Sequence, residues 1–122
     1  MSPRRPKKEE NVAIGQRLAR LRVTFGWTQG ALASCVGWLD SGGAGNRARV
    51  AQLETGRVAF SNVNQRELFA HAFGLTLITM NGVLRGDVTP EVAQRMGIRT
   101  LAKRAAAAAK YDLHVAMAGS GS

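Results

Sequence analysis

Apolar residues recur at helical spacing along most of this chain, and glycines punctuate them. Ile14, Leu18, Leu21 and Phe25 follow one another at intervals of four, three and four, which is one face of a helix over residues 11–25. Arg17, Arg20 and Arg22 lie off that stripe, and Gly26 stands where a helix end favours glycine. Thr28 predicts an N-cap for a second helix with Leu32, Ala33 and Val36 inward, closed by Gly37. Cys35 reads as a small half-buried filler of that helix. Ser41, Gly42, Gly43 and Gly45 make residues 38–45 a loop. Asn46 then caps a third helix with Val50 and Leu53 inward, ended by Gly56.

Further along, residues 57–63 read as a loop anchored by Phe60 and Val63. Residues 64–73 predict a fourth helix with Leu68 and Ala72 inward beside Phe69 or Phe73, terminated by Gly74. Residues 76–85 predict a fifth through Leu77, Met80, Val83 and Leu84, stopped by Gly86. Thr89-Pro90-Glu91 is a strong helix start, with an N-cap, a proline in the first turn and an acid near the positive end of the dipole. Gly97 is expected to interrupt this helix, and residues 98–117 to form another, rich in alanine, with Ile98, Leu101, Ala105 and Ala108 on one face. A helix of that kind needs a surface to pack on, either its own domain or a second copy of the chain.

Charge adds a partner class to this all-helical outline. The chain has 122 residues, 17 Lys+Arg against 8 Asp+Glu, and a formal net charge of +9. Such a balance attracts polyanions and releases their counterions on binding, which puts nucleic acid first and an anionic membrane surface second. Residues 1–10 carry Pro3, Arg4, Arg5, Pro6, Lys7 and Lys8 and offer no apolar face, so they predict a flexible basic arm. Arms of this kind track DNA phosphates or enter a minor groove, which makes Arg4, Arg5, Lys7 and Lys8 phosphate candidates. The single cysteine excludes an internal disulfide. No apolar run is long enough for a membrane span, and the basic N-terminus lacks the apolar segment of a signal peptide. A cytoplasmic, nucleoid-associated location is expected. Residues 119–122 read as a flexible tail.

Several segments together carry a resemblance. They are Ile14-Gly15-Gln16-Arg17-Leu18-Ala19-Arg20-Leu21-Arg22, then Trp27-Thr28-Gln29 with Leu32-Ala33 and Gly37, then Val50-Ala51-Gln52-Leu53-Glu54-Thr55-Gly56, then Glu67-Leu68-Phe69-Ala70-His71-Ala72-Phe73-Gly74-Leu75. In this order, residues 11–86 resemble the lambda-repressor/Cro-like (XRE-type) helix-turn-helix domain. The resemblance implies an all-α fold, a five-helix DNA-binding domain, followed here by a helical extension over residues 87–118. It implies that the third helix enters the major groove, with Arg47, Ala48 and Gln52 at base-facing positions. Arg47 has the donors for guanine O6 and N7, and Gln52 suits adenine N6 and N7. Gln29 matches the family's glutamine at the start of the second helix and is expected at a phosphate, flanked by Asn46, Arg49 and Arg57. Arg22 and Glu54 match a structural ion pair between the first and third helices. One departure stands out: the family joins its second and third helices by a tight turn, whereas this chain carries extra residues from roughly Trp38 to Gly45. Trp38 and Leu39 are expected to fold back there as a hydrophobic plug.

These readings converge on a sequence-specific transcriptional regulator, repressor-like, that binds double-stranded DNA as a homodimer on a two-fold operator. The alternative is an antitoxin-like or other protein-binding module that reuses the fold and meets a protein partner through its C-terminal helices. No Ser/His/Asp, Cys/His, metal-ligand or phosphate-loop spacing is present, so neither catalysis, a metal nor a cofactor is expected. His71 and His114 each stand alone.

Overall fold

Leu18 and Leu21 are fully buried, and the helix that carries them organises the fold. The computed structural model describes the backbone of residues 4–120 and the side chains of residues 8–113. Six α-helices follow in order: α1 (Arg4–Thr24), α2 (Gln29–Cys35), α3 (Arg47–Glu54), α4 (Val63–Phe73), α5 (Leu77–Arg85) and α6 (Pro90–Ser120). The protein is all-α, and among the described residues the only extended pairing is an isolated antiparallel bridge between Leu39 and Gly45.

Local chemistry sets most of the helix ends. Thr28, Asn46, Asn62 and Thr76 each accept, through a side-chain oxygen, the backbone N–H three residues ahead. Each thereby satisfies one of the donors that a helix N-terminus leaves without a partner. Gly74 and Gly86 close α4 and α5 in the left-handed conformation that glycine adopts without strain.

Packing follows from the apolar faces. Helix α1 lies against α3, α5 and α6, α2 against α3, and α4 against α5 and α6. Leu18, Leu32, Val50, Phe69, Met80 and Leu84 bring α1 to α5 into one core. An aromatic cluster ties the α1–α2 corner to α4: Trp27 stacks on Phe73 at 5.0 Å, and Phe25 packs on Phe73 at 4.9 Å.

The structure departs from the pattern-based expectations at six places. Residues 4–10 belong to α1 rather than to a flexible arm. Pro6 falls in the first turn, where a missing N–H removes no helical bond. In α4 the inner face is Phe69, Ala70 and Phe73, while Leu68 is 49% exposed and Ala72 half-buried. Two phenylalanines one turn apart bury more apolar area than Leu68 with Ala72, so they set the rotation of the helix. Val63 is exposed, and Phe60 alone anchors the loop before α4, against Phe69 at 4.9 Å. Cys35 is exposed, because Leu32, Ala33 and Val36 already fill the inner face of α2. Leu39 is also exposed, and only Trp38 folds back as the plug.

The sixth departure is at Gly97. Helix α6 runs through it unbroken for 31 residues, on the order of 45 Å. A Cβ at Gly97 would collide with the Phe73 carbonyl oxygen and lie 2.7 Å from Phe25 Cζ. A Cβ at Gly74 would lie 2.5 Å from the Gly97 carbonyl oxygen. Gly97 is therefore a close helix crossing, and the helix propensity it forfeits is offset by contact with Phe25, just past α1, and with α4. Past that crossing α6 leaves the body: Ile98 is exposed, Leu101 half-buried, and every residue from Ala102 to Leu113, Ala105 and Ala108 included, is exposed. Among the described residues its last polar tie is Arg104, whose Nη1 donates to the His71 carbonyl at 2.7 Å. Gly97→Ala is expected to destabilise the fold by about 1–3 kcal/mol through overpacking. A thermal midpoint equal to that of the parent would contradict the close crossing.

Candidate nucleic-acid interface

Helix α3 has eight residues, too few to persist alone, so its neighbours must hold it. Val50 and Leu53 are buried beneath it. At its C-terminal end Glu54 is clamped: Arg22 Nε donates to Oε2 at 2.7 Å and Arg22 Nη2 to Oε1 at 3.1 Å. Gln29 Nε2 donates to the same Oε1 at 2.9 Å, and Arg22 Nη1 also donates to the Trp27 carbonyl at 2.8 Å. The Arg22 and Glu54 side chains are 15% and 6% exposed, so the pair is largely removed from water. One carboxylate thus joins α1, α2 and α3, and Arg22 ties the α1–α2 corner to it. Gly15 makes the approach of α1 feasible, since a Cβ there would collide with the Leu53 carbonyl oxygen and lie 2.6 Å from that of Glu54.

The connection between α2 and α3 is an ordered loop. Trp38 enters the core and meets Phe69 edge-on at 5.1 Å. The Asn46 N–H donates to the Trp38 carbonyl at 2.8 Å and the Asp40 N–H to the Ala44 carbonyl at 2.7 Å, which pairs the two limbs of the loop. Inside the tip, Asp40 Oδ1 accepts the N–H groups of Gly42 at 2.9 Å and Ala44 at 3.0 Å. Gly45 seats the loop on α2, where a Cβ would collide with the Gly30 carbonyl oxygen and lie 2.7 Å from Ser34 Oγ. The extra residues therefore close on themselves and deliver the chain to Asn46.

The outward face of α3 carries Arg47, Ala48, Arg49 and Gln52, all exposed, with Ala51 half-buried. Arg47 shares an open groove of about 700 Å³ with Arg22, Trp27, Thr28, Gln29 and Gly30. Ala48, Gln52 and Arg57 share a second groove of about 360 Å³ with Ala51 and Thr55. Three expected phosphate candidates have intramolecular partners. The amide nitrogen of Gln29 is committed to Glu54, so this side chain braces α3. The Asn46 oxygen caps α3 by accepting the Arg49 N–H at 3.3 Å. The Arg49 guanidinium lies over the Trp38 ring, its Cζ 3.9 Å from the ring centroid, a cation–π contact. Lys8 is exposed on α1, and the side chains of Arg4, Arg5 and Lys7 lie outside the described ones. Trp38 as the support of Arg49 was hidden in the sequence, since only the loop geometry brings the two together.

A further arginine, Arg66 of α4, braces the fold. Arg66 donates to the Phe60 carbonyl at 2.7 Å and to Asn81 Oδ1 at 3.0 Å, linking the loop before α4 to α5. Burial pushes its guanidinium below the ordinary arginine pKa; Glu10 opposes that shift and Arg85 adds to it.

Among the described residues no group of histidine, cysteine, aspartate or glutamate side chains could hold a metal ion, and no single helix is long and apolar enough to cross a membrane. Fold and site together define an all-helical chain that pins a short helix by its inner face and one carboxylate, and leaves a basic, polar outer face bare. Comparison with family models, curated proteins and solved structures finds no match for this chain.

Proposed function

We propose that the protein is a sequence-specific DNA-binding regulator in which α1–α5 form a lambda-repressor/Cro-like domain and α3 reads the major groove. The observation that carries this reading is the division of α3 into two faces. Val50, Leu53 and Glu54 are buried and braced, while Arg47, Ala48, Arg49 and Gln52 are exposed with no acidic side chain in the first turn. Two arginines at a helix N-terminus oppose the dipole, and an anion there relieves that conflict. In this reading Arg47 and Gln52 contact base edges, Ala48 meets a thymine methyl, and Arg49 and Arg57 take phosphates. A homodimer places two such helices about one turn of DNA apart on a two-fold operator.

Binding-site selection followed by footprinting tests this directly. A two-fold motif with half-sites one helical turn apart is the expected result; binding no tighter than to random duplex at about 0.15 M salt refutes it. The roles of single residues separate in the same assay. Gln52→Ala is expected to relax preference at one base position, by about 1–3 kcal/mol of discrimination. Arg57→Ala is expected to weaken every sequence alike and to lower the salt slope by about 1. Equal losses from both variants on selected and random duplexes would show that bases and phosphates are not divided in this way.

A further inference from the structure

The outer face of α6 carries charge that the interface above does not use. Arg95, Arg99 and Lys103 succeed one another every fourth residue, and Lys110 follows seven further on. At about 100° per residue these four fall within a sector of about 80°. The opposite side of the helix is the one that meets the body, through Ala93, Gly97 and Leu101. All four cations are exposed. The ion pairs among the described residues are Arg22–Glu54 and Arg85–Asp87, and neither involves them. Glu91, one turn before Arg95, makes no bridge to it, and Asp112 falls on another side of the helix.

The helix holds these charges in line over about 22 Å. Like charges one turn apart repel in the free protein, and a polyanion removes that repulsion. The complement of such a stripe is a backbone of regularly spaced phosphates. Among the described residues beyond Leu101, α6 is tied to the body through Arg104 at the His71 carbonyl, and Lys103 and Lys110 are exposed to meet one.

We propose that the outer face of α6 is a second nucleic-acid contact, blind to sequence, that lays Arg95, Arg99, Lys103 and Lys110 along a phosphate backbone flanking the site read by α3. This rests on the DNA-binding reading for the identity of the duplex, and the test lets the two fail separately. The full chain and its R95Q/R99Q/K103Q/K110Q variant are titrated with selected and random duplexes across a salt series, with helicity and sedimentation measured alongside. The slope of log K against log salt is expected to fall by about 0.9 for each cation removed, about 3–4 in all, on both duplexes, with their affinity ratio unchanged. The charge-keeping variant R95K/R99K/K103R/K110R is expected to retain the slope. If the glutamine variant loses helicity, K103Q and K110Q made singly decide, each lowering the slope by about 0.9.

An unchanged slope overturns the proposal. So does conversion of a parent dimer to a monomer by these substitutions, which would make the stripe a subunit interface. Loss of binding to phosphatidylserine vesicles with the DNA slope intact overturns it in favour of a membrane. A slope that falls as expected while the parent shows no preference for any selected duplex supports the α6 contact and refutes base reading by α3.

Discussion

Glu54→Ala is expected to destabilise the protein by about 3 kcal/mol, close to the penalty for removing one partner of a buried ion pair. The carboxylate receives three hydrogen bonds, two from Arg22 and one from Gln29. Without it the Arg22 guanidinium stays partly enclosed and keeps only the Trp27 carbonyl. The Gln29 amide loses its acceptor at the same time. Since α3 is too short to hold itself, the loss falls on the element that presents Arg47 and Gln52. A drop of this size moves the thermal midpoint by on the order of 10 °C. Removing both charges is predicted to be milder: Arg22→Met with Glu54→Leu leaves no unpaired charge and is expected to recover most of the loss. A denaturant series on the two single variants and the double gives the coupling between them. A single-variant loss below about 1 kcal/mol would mean that the pair behaves as an exposed one.

How far the pattern of residues revealed this arrangement depends on the range of the interactions concerned. The stripe Leu18–Leu21 and the caps Thr28 and Asn46 are local, and their physics is complete within a few neighbouring residues. The continuity of α6 is not: glycine disfavours a helix interior, and only the approach of Phe73 and Phe25 explains why Gly97 lies in one. The rotation of α4 was ambiguous because Leu68, Phe69, Ala72 and Phe73 offer two overlapping stripes, and tertiary packing chooses between them. Gln29 reads as a surface residue at a helix start until Glu54, distant in sequence, is folded beside it. At the candidate site Arg47, Ala48 and Gln52 were singled out by the resemblance to a helix-turn-helix domain, and all three are exposed while Val50 and Leu53 on the same helix are buried. Their supports were not legible, since Trp38 and Arg49 meet only through the closed loop.

That loop makes Trp38 the second large effect. Trp38→Ala is expected to destabilise the protein by about 3–5 kcal/mol, as truncation of a core aromatic does. The residue is 8% exposed and packs edge-on against Phe69, which also carries Phe60. Its backbone is joined to both flanking elements: its N–H donates to the Ala33 carbonyl at 2.8 Å and its carbonyl accepts the Asn46 N–H at 2.8 Å. The indole therefore fixes the start of the extra residues in the core, and the loop closure fixes their end at the α3 cap. Truncation opens a cavity beside Phe69 and removes the ring beneath the Arg49 guanidinium, a contact of about 0.5–1 kcal/mol at an exposed position. Trp38→Phe retains an aromatic face and is expected to keep most of the stability and the Arg49 contact. Trp38→Leu fills part of the space and loses the cation–π contact. If Trp38→Leu matched Trp38→Phe in both stability and duplex affinity, Arg49 would be independent of the ring. If Trp38→Ala unfolded no more easily than the parent, the Trp38 ring would not anchor α3, and its orientation would have to come from the buried Val50 and Leu53 and the Glu54 clamp.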